Sequence, residues 1–263
     1  MSLLDIAMAV VDSMMAIIPR QVPERTALER CKIISHRGEH SSQGVRENTI
    51  EAFEHARAAG VWGIECDIRW TADLVPVICH DASPQRVFGE ASAVSSLTFD
   101  QLHRRVPGIP RLADVIQLFG GNTHLMLELK AEPWPQPAKQ REILRALLAT
   151  LTPVEDYHLL ALDPKVFEPL DFLPPECFFP VAETNVPTIS AQAIEHGYAG
   201  LGGHYLLLTN QLKMRHAAHN QRLGTGFPTS KYCLFRELNR GIEWVFSNDA
   251  VALQKILDRH LQR

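Results

Sequence analysis

Apolar and amphipathic stretches alternate along the 263 residues of the chain. Short β-prone apolar runs, typical of strands, lie near residues 31–36, 63–69, 124–130, 157–162, 177–182, 198–203, 222–226 and 242–247. Stretches with helical periodicity lie between most of these runs and after the last one: 49–59, 111–119, 138–151, 164–171, 188–196, 209–221, 229–239 and 249–261. This alternation is typical of parallel strands joined by crossover helices. Eight strands suit a closed barrel, so we predict one α/β domain, a TIM-type (β/α)8 barrel, over residues 1–263.

A ninth, shorter run is predicted to form a β-hairpin arm on the second strand. A polar interruption at 72–73 separates the strand-like run at 63–69 from the β-prone residues 75–79. If the chain reverses at this interruption, residues whose numbers sum to 145 face each other. This register places His80 opposite Glu65, and it brings an imidazole beside a carboxylate.

Acidic side chains share one face of neighbouring predicted strands. Glu65 and Asp67 are two residues apart, so strand alternation directs both carboxylates to the same side. The run at 124–130 ends with Glu128 and Lys130, also on one face. In a barrel of this type the chemistry lies at the carboxyl ends of the strands. Three carboxylates there need a cation or another partner, and their oxygens suit a hard ion such as Mg²⁺ or Ca²⁺.

Histidine and arginine side chains lie at the ends of other predicted strands. His36 and Arg37 follow the first run, and His80 follows the arm. Arginine and lysine side chains suit a phosphate group. Histidine suits proton transfer near neutral pH. Together with the carboxylates, these side chains indicate metal-assisted cleavage of a phosphoester.

Five short motifs follow one another in a fixed order. They are His36-Arg37-Gly38; Glu47-Asn48-Thr49 with Ala52-Phe53; Glu65-x-Asp67; Thr71-x-Asp73-x-x-Pro76-Val77-x-x-His80-Asp81; and Glu128-x-Lys130. In this order they resemble the motifs of glycerophosphodiester phosphodiesterases. The likeness is dense over residues 31–81 and returns at 124–130.

The resemblance implies a TIM-type barrel that binds one divalent cation, Mg²⁺ or Ca²⁺. It implies hydrolysis of glycerophosphodiesters to glycerol 3-phosphate and an alcohol. The implied site consists of the metal ligands Glu65, Asp67 and Glu128, the acid–base pair His36 and His80, and the phosphate-binding or charge-stabilising residues Arg37 and Lys130. The sequence leaves open which histidine is the base, and whether the nucleophile is water or a substrate hydroxyl.

The C-terminal half resembles the family less closely. Where the family carries a Trp-Thr-Val-Asn-like segment, this chain has Gly224-Thr225-Gly226-Phe227-Pro228, and Phe227 is a candidate substrate contact in place of the aromatic. Where the family's last strand commonly ends in Thr-Asp-x-Pro, this chain has Ser247-Asn248-Asp249-Ala250. These departures leave the catalytic groups intact and leave the substrate's alcohol open.

Three further residues lie near the predicted site. Asn48 precedes the predicted helix at 49–59, and we interpret it as the helix N-cap. Trp134 lies in a proline-rich loop after Lys130, where it forms a wall of the pocket or packs on the surface. Glu47, beside Asn48, is expected to brace the site or to contact the metal indirectly.

The net charge of the chain indicates the class of partner, and its cysteines indicate the compartment. The net charge is −4 and the isoelectric point is about 6.3, which gives no electrostatic footprint for nucleic acid or an anionic membrane. We therefore expect a small-molecule phosphodiester as the partner. Five cysteines without a C-x-x-C pair indicate reduced, buried thiols in a cytoplasm-like compartment. The oligomeric state cannot be predicted from the sequence.

The first 30 residues are predicted to form a helix that covers the bottom of the barrel. Residues 3–18 are apolar, but they lack a basic segment before them and are too short to span a bilayer. The alternative is an amphipathic contact with a membrane or a partner chain.

Two other functions remain open at this stage. One is a related metal phosphodiesterase that acts on a lysophospholipid or on glycerophosphoinositol. The other is a non-catalytic barrel that binds phosphodiesters.

Overall fold

In the computed structural model, which describes residues 13–40 and 44–262, eight parallel strands close into a barrel. The strands are β1 (Lys32–His36), β2 (Gly63–Trp70), β3 (Pro76–Ile78), β4 (His124–Leu129), β5 (Tyr157–Ala161), β6 (Phe178–Ala182), β7 (Gly200–His204), β8 (Arg222–Gly226) and β9 (Trp244–Ser247). They pair in the order β1-β9-β8-β7-β6-β5-β4-β2, and β1 also pairs with β2 to close the ring. The predicted TIM-type (β/α)8 barrel is confirmed.

Helices connect successive strands around the outside of the barrel. The α-helices are Arg25–Arg30, Ile50–Ala58, Gln85–Phe88, Phe99–Arg105, Leu112–Phe119, Pro137–Leu148, Val186–Glu195, Asn210–Ala217, Lys231–Asn239 and Ala250–Leu261. The predicted helix at 164–171 is wrong, because only a short 3₁₀ turn, Pro164–Phe167, forms there. The ring of Pro169 would clash with the carbonyl of Lys165 in a continued helix.

The barrel interior is filled in layers. Ile34, Met126, Leu160, Phe179, Trp244 and Phe246 form a buried cluster in which strand alternation directs each side chain inward. Below this cluster, the imidazoles of His124 and His158 share a hydrogen bond of 2.8 Å, and Trp62 stacks on His124. Leu160 and Phe246 of this cluster also line the cavity at the carboxyl ends of the strands.

The arm formed by β3 pairs antiparallel to β2, as predicted, but its register differs by one residue. Ile68 lies opposite Ile78 and Trp70 lies opposite Pro76, so paired residue numbers sum to 146 rather than 145. The reversal is a five-residue loop in which the Thr71 hydroxyl donates to the Asp73 carboxylate at 2.7 Å. The predicted pairing of Glu65 with His80 is therefore wrong.

The N-terminal segment is only partly described. Residues 13–17 and Arg25–Arg30 are helical, and Leu28 of the second helix packs into the core beside the start of β1. Residues 1–12, which carry most of the apolar stretch, lie outside the described residues, so the predicted cover over the barrel bottom stays a prediction. Within the described part of the chain, no helix combines the length and apolar character needed to cross a bilayer.

Candidate active site

The three predicted carboxylates meet at the carboxyl ends of β2 and β4. Asp67 and Glu128 are aligned partners in the parallel register, and Glu65 lies two residues earlier on the same face as Asp67. One oxygen from each of the three side chains lies within 4.8 Å of the other two. The side chains of Glu65 and Asp67 are 2% and 0% exposed. Strand alternation and sheet register thus bring three acidic groups to one buried point.

The charge on this trio is only partly compensated. Burial raises the pKa of Glu65 well above its ordinary range, and the charges of Asp67 and Glu128 raise it further. One Glu65 oxygen, Oε1, is buried and has no hydrogen-bond partner among the described residues. The other, Oε2, accepts a hydrogen bond from the backbone nitrogen of Arg37 at 3.0 Å. An orphaned buried carboxylate oxygen is costly unless a partner occupies the space before it.

Two cations contact the trio. The Lys130 ammonium lies 2.6 Å from both Asp67 Oδ1 and Glu128 Oε1, and Arg37 Nε lies 3.4 Å from Asp67 Oδ2. Burial acts to raise the pKa of Asp67, but the positive charges of Lys130 and Arg37 outweigh burial and hold it below its ordinary value. Three carboxylates and two cationic side chains leave one negative charge uncompensated. A bound divalent cation would change this net negative charge to a net positive one.

Arg37 reaches the trio because the chain turns sharply after β1. Arg37 has a φ of +58° and the next residue, Gly38, has a φ of +77°. A side chain at Gly38 would come within 2.8 Å of Ala52 and Phe53 on the following helix, so only glycine fits there. This turn directs the Arg37 guanidinium toward Asp67 and Glu47.

Asn48 belongs to the site and is not the helix N-cap that we expected. Its side-chain nitrogen donates to Asp67 Oδ2 at 2.7 Å, and its backbone has a φ of +58°, a conformation that asparagine tolerates. The N-cap is the next residue, Thr49, whose hydroxyl accepts from the nitrogen of Ala52 at 3.2 Å. Asn48 therefore orients the central carboxylate.

His36 lies beside the carboxylates, and each of its ring nitrogens contacts another side chain. Its Nδ1 lies 2.7 Å from Oδ1 of Asn248, at the end of β9, and its Nε2 lies 3.8 Å from Oε2 of Glu65. The ring of Phe227 lies 4.7 Å from the imidazole, centroid to centroid. Burial, together with the positive charge of Arg37, lowers the pKa of His36 to about 4. The ring is therefore neutral at pH 7.

His80 reaches the same cavity from the arm, with a different partner. Its Nδ1 lies 2.8 Å from Oδ1 of Asp81. Its backbone carbonyl accepts two hydrogen bonds from Arg69, at 2.9 and 2.8 Å, and Arg69 pairs with Glu132 at 2.7 Å. Arg69 thus fixes the backbone of the general acid–base candidate, although nothing in the sequence pattern singled it out.

These groups line one cavity of about 520 Å³. Its charged and imidazole lining includes His36, Arg37, Glu65, His80, Glu128 and Lys130, and its apolar lining includes Leu160, Leu162, Val181, Phe227 and Phe246. Trp134 does not line it, because that side chain packs against Trp70 with ring centroids 5.7 Å apart. A separate cavity of about 570 Å³, beside the helix Phe99–Arg105, contains none of the predicted site residues.

A family model described as "Glycerophosphoryl diester phosphodiesterase family" matches residues 36–162. The match begins at His36 and contains every predicted site residue except Phe227. The match spans just under half of the chain, so the chain resembles this family over that segment. The resemblance deduced from the ordered motifs is confirmed.

Individual relatives support the same assignment over part of their length. The chain is 37% identical over 92 residues to glycerophosphodiester phosphodiesterase 1 of Rattus norvegicus, covering 33% of this chain and 27% of that protein. It is 30% identical over 127 residues to a glycerophosphodiester phosphodiesterase of Caldanaerobacter subterraneus, covering 44% of this chain and 51% of that protein. The chain thus spans about half or less of the curated relatives it matches.

One solved structure extends the comparison over the whole barrel. A phosphodiesterase of Oleispira antarctica, solved in complex with the product sn-glycerol-3-phosphate, superposes with a TM-score of 0.71. The superposition covers 88% of this chain and 99% of that one, at 22% identity. At this level of identity the likeness shows the fold alone.

Proposed function

We propose that this protein hydrolyses glycerophosphodiesters to glycerol 3-phosphate and an alcohol, with a divalent cation and a pair of histidines. The observation that carries the proposal is the convergence of three carboxylates, two imidazoles, a guanidinium and an ammonium on one cavity. The match to the family model, and the relatives named glycerophosphodiester phosphodiesterase, support the same reaction.

The carboxylate trio fits a hard divalent cation. Glu65, Asp67 and Glu128 would hold it, because they offer only oxygen donors and Glu65 Oε1 lacks another partner within the described structure. An all-oxygen set favours Mg²⁺ or Ca²⁺ over zinc. A cation bound there supplies Lewis-acid polarisation of a phosphoryl oxygen.

Two cationic side chains bind and orient the phosphodiester. Arg37 and Lys130 both line the cavity beside the trio, on the side where the phosphate must lie to reach the carboxylates. The Arg37 guanidinium is held by Glu47 at 3.1 Å, so it is fixed before the substrate arrives. Preorganised donors of this kind stabilise charge that develops in the transition state.

The different partners of the two histidines support different roles for them. The Asn248 amide oxygen accepts from Nδ1 of His36, which leaves Nε2 as a lone-pair acceptor, and the low pKa keeps the ring neutral. His36 therefore acts as the base that takes a proton from the attacking hydroxyl, whether from water or from the substrate.

His80 acts as the acid that protonates the departing alcohol. Its partner Asp81 stays ionised: burial acts to raise the pKa of Asp81, but hydrogen bonds from His80 and Arg86 outweigh it and hold the pKa below its ordinary value. A carboxylate hydrogen-bonded to one ring nitrogen holds a proton there and leaves the other nitrogen to serve the substrate.

A second candidate substrate class is the lysophospholipids. The cavity lining includes the apolar residues Leu160, Leu162, Val181, Phe227 and Phe246, and the residues Leu162 and Phe227 are 41% and 38% exposed. An apolar wall of this kind binds an acyl chain by removing its surface from water. Glycerophosphoinositol remains a third alternative diester.

The test is a panel of diesters assayed with Mg²⁺, with Ca²⁺ and with EDTA. Glycerophosphocholine, glycerophosphoinositol and lysophosphatidylcholine are compared for the wild type, for Glu128→Gln, and for Glu142→Gln, an exposed control carboxylate. We expect hydrolysis that EDTA abolishes, that Glu128→Gln loses by ~10²-fold or more, and that Glu142→Gln retains. Binding of glycerophosphocholine that EDTA does not change, without turnover, would instead indicate a non-catalytic phosphodiester-binding barrel.

The proposal also includes a reducing compartment and a small-molecule partner. All five cysteines are free thiols, which supports a reducing, cytoplasm-like compartment. The net charge of −4 supports a small-molecule substrate rather than nucleic acid or an anionic membrane as the partner.

A further inference from the structure

Arg86 joins two parts of the site that are otherwise far apart in the sequence. It lies in the short helix Gln85–Phe88, which follows the arm. Its Nε donates to Asp81 Oδ2 at 2.7 Å, while Nη1 and Nη2 donate to the two oxygens of Glu47 at 2.9 and 2.6 Å. Within the described residues, no other side chain hydrogen-bonds both of these carboxylates.

Each carboxylate leads directly to a group that lines the cavity. Asp81 holds Nδ1 of His80 with its other oxygen, at 2.8 Å. Glu47 holds Nη1 of Arg37 at 3.1 Å, and Arg37 in turn contacts Asp67. A continuous chain of ion pairs therefore runs from the His80 imidazole, through Arg86, to the phosphate-binding guanidinium.

The geometry requires the planar guanidinium of arginine. Three hydrogen bonds leave Arg86 in a fork that meets Glu47 with two parallel donors and Asp81 with a third. A lysine carries the same charge but presents it at one point, so it cannot span both carboxylates in this way. The side chain is half exposed, yet these three hydrogen bonds go to carboxylates of the site.

We propose that Arg86 is a positioning residue that holds His80, through Asp81, and Arg37, through Glu47, in fixed relation across the cavity. This inference rests on the proposed function for its kinetic consequences. Arg86 does not line the cavity, so its effect on the reaction passes through these two neighbours.

The kinetic signature depends on the leaving group. If Arg86 fixes His80 as the acid, its loss matters most when the departing alkoxide is strongly basic and must be protonated. A glycerophosphodiester of p-nitrophenol releases a stable phenolate and needs little proton donation. A general loss of structure would lower both rates equally.

The experiment compares Arg86→Ala and Arg86→Lys with Arg105→Ala. Arg105 is a matched control: it is 48% exposed, against 50% for Arg86, and it pairs with Glu90 in the same region, away from the cavity. We expect Arg86→Ala to lose ~10-fold or more in kcat on glycerophosphocholine and several-fold less on the p-nitrophenyl diester. Arg86→Lys is expected to resemble Arg86→Ala, Arg105→Ala to match the wild type, and added guanidinium to restore part of the activity of Arg86→Ala.

A second readout separates this inference from the proposed function. The nitrogen resonances of the His80 ring, measured by NMR, report the hydrogen bond from Nδ1 to Asp81 whether or not the protein turns over. We expect Arg86→Ala to shift them and Arg105→Ala to leave them unchanged. Unchanged His80 resonances, or equal losses of kcat on both diesters, would overturn the positioning role. If the wild type hydrolyses neither diester, the proposed function fails while a shift of the resonances still supports the positioning of His80.

Discussion

Replacing Glu65 with glutamine should stabilise the metal-free protein and at the same time remove its response to metal. Glutamine keeps an oxygen that accepts from the Arg37 backbone nitrogen, and it removes the negative charge that Asp67 and Glu128 repel. At a separation of about 4.8 Å and an effective dielectric constant of about 20, each like-charge pair costs about 3 kcal/mol. The attraction of Lys130 and Arg37 for Glu65 opposes this repulsion without cancelling it, because the pKa of Glu65 is raised overall.

The raised pKa of Glu65 gives the same sign and adds a pH dependence. The folded protein binds a proton on Glu65 more tightly than the unfolded chain, whose ordinary pKa is 4.5, so the free energy of unfolding falls as pH rises above 4.5. Ionisation of Glu65 therefore causes a loss of stability between pH 4.5 and pH 7. Glu65→Gln abolishes this loss, so its advantage over the wild type is absent near pH 4.5 and largest at pH 7.

The assay is thermal unfolding in EDTA and in excess Mg²⁺ or Ca²⁺. In EDTA at pH 7 we expect Glu65→Gln to melt roughly 5 °C above the wild type, which is about 3 kcal/mol divided by the unfolding entropy of a chain of this length. Metal at ~100 times its dissociation constant should stabilise the wild type by about 2.7 kcal/mol and the variant by much less.

A control variant distinguishes this site from any other buried carboxylate. Glu237 is fully buried and is paired with Arg236 and Arg240 rather than with the trio, so Glu237→Gln should keep the metal response. The reasoning is refuted if Glu65→Gln melts below the wild type in EDTA at pH 7, or if it keeps the full metal-induced shift.

Three other results follow from the same geometry. His80→Ala should lower kcat by ~10²-fold or more without changing the melting temperature in EDTA, and near-normal turnover would contradict the acid role. Asn248→Ala should lower kcat by ~10-fold because His36 loses its acceptor, Asn248→Asp should restore most of it, and equal loss in both variants would refute the positioning by Asn248. Burial lowers the pKa of His124 to about 4 and that of His158 to about 3, below the ordinary 6.5. The unfolded chain therefore takes up protons at a higher pH than the folded protein. The free energy of unfolding should fall as pH drops from 6.5 toward 3, by on the order of 3 kcal/mol for His124 alone. If a variant with both histidines replaced by glutamine showed the same urea-denaturation profile over that range, this prediction would be contradicted.

The strands and the carboxylate trio were predictable because they depend on local periodicity. Every strand of the barrel lies within two residues of an apolar run, since strands buried on both faces must be apolar on both faces. Glu65, Asp67 and Glu128 interrupt such runs at positions that alternation assigns to one face. A charge in an otherwise apolar strand is costly, which is why the sequence itself marks these residues.

The contacts that complete the site were not predictable in the same way. His36 and Asn248 are 212 residues apart, and Glu47 and Arg86 are 39 apart. Only the closure of the barrel and the path of the loop after the arm bring these pairs together. A single asparagine or arginine in a loop carries no periodic signal, so its partner cannot be deduced from the sequence.

Errors in secondary structure have equally local causes. The hairpin register shifted by one because the loop after Trp70 contains five residues rather than a reversal centred on 72–73. The helix Phe99–Arg105 was missed although Thr98 and Gln101 form a capping box at its start, a signal that the sequence does contain. The N-cap was placed at Asn48 rather than Thr49 because both residue types favour that position.

The central claim is that Glu65, Asp67 and Glu128 together hold one divalent cation. The most direct measurement is an anomalous difference map from crystals of the protein soaked in Mn²⁺, which takes the same oxygen ligands as Mg²⁺. We expect a single strong peak among the three carboxylates, lost in Glu65→Gln crystals soaked in the same way. Crystals in which the carboxylates remain clustered but carry no peak, or whose peak lies elsewhere, would contradict it.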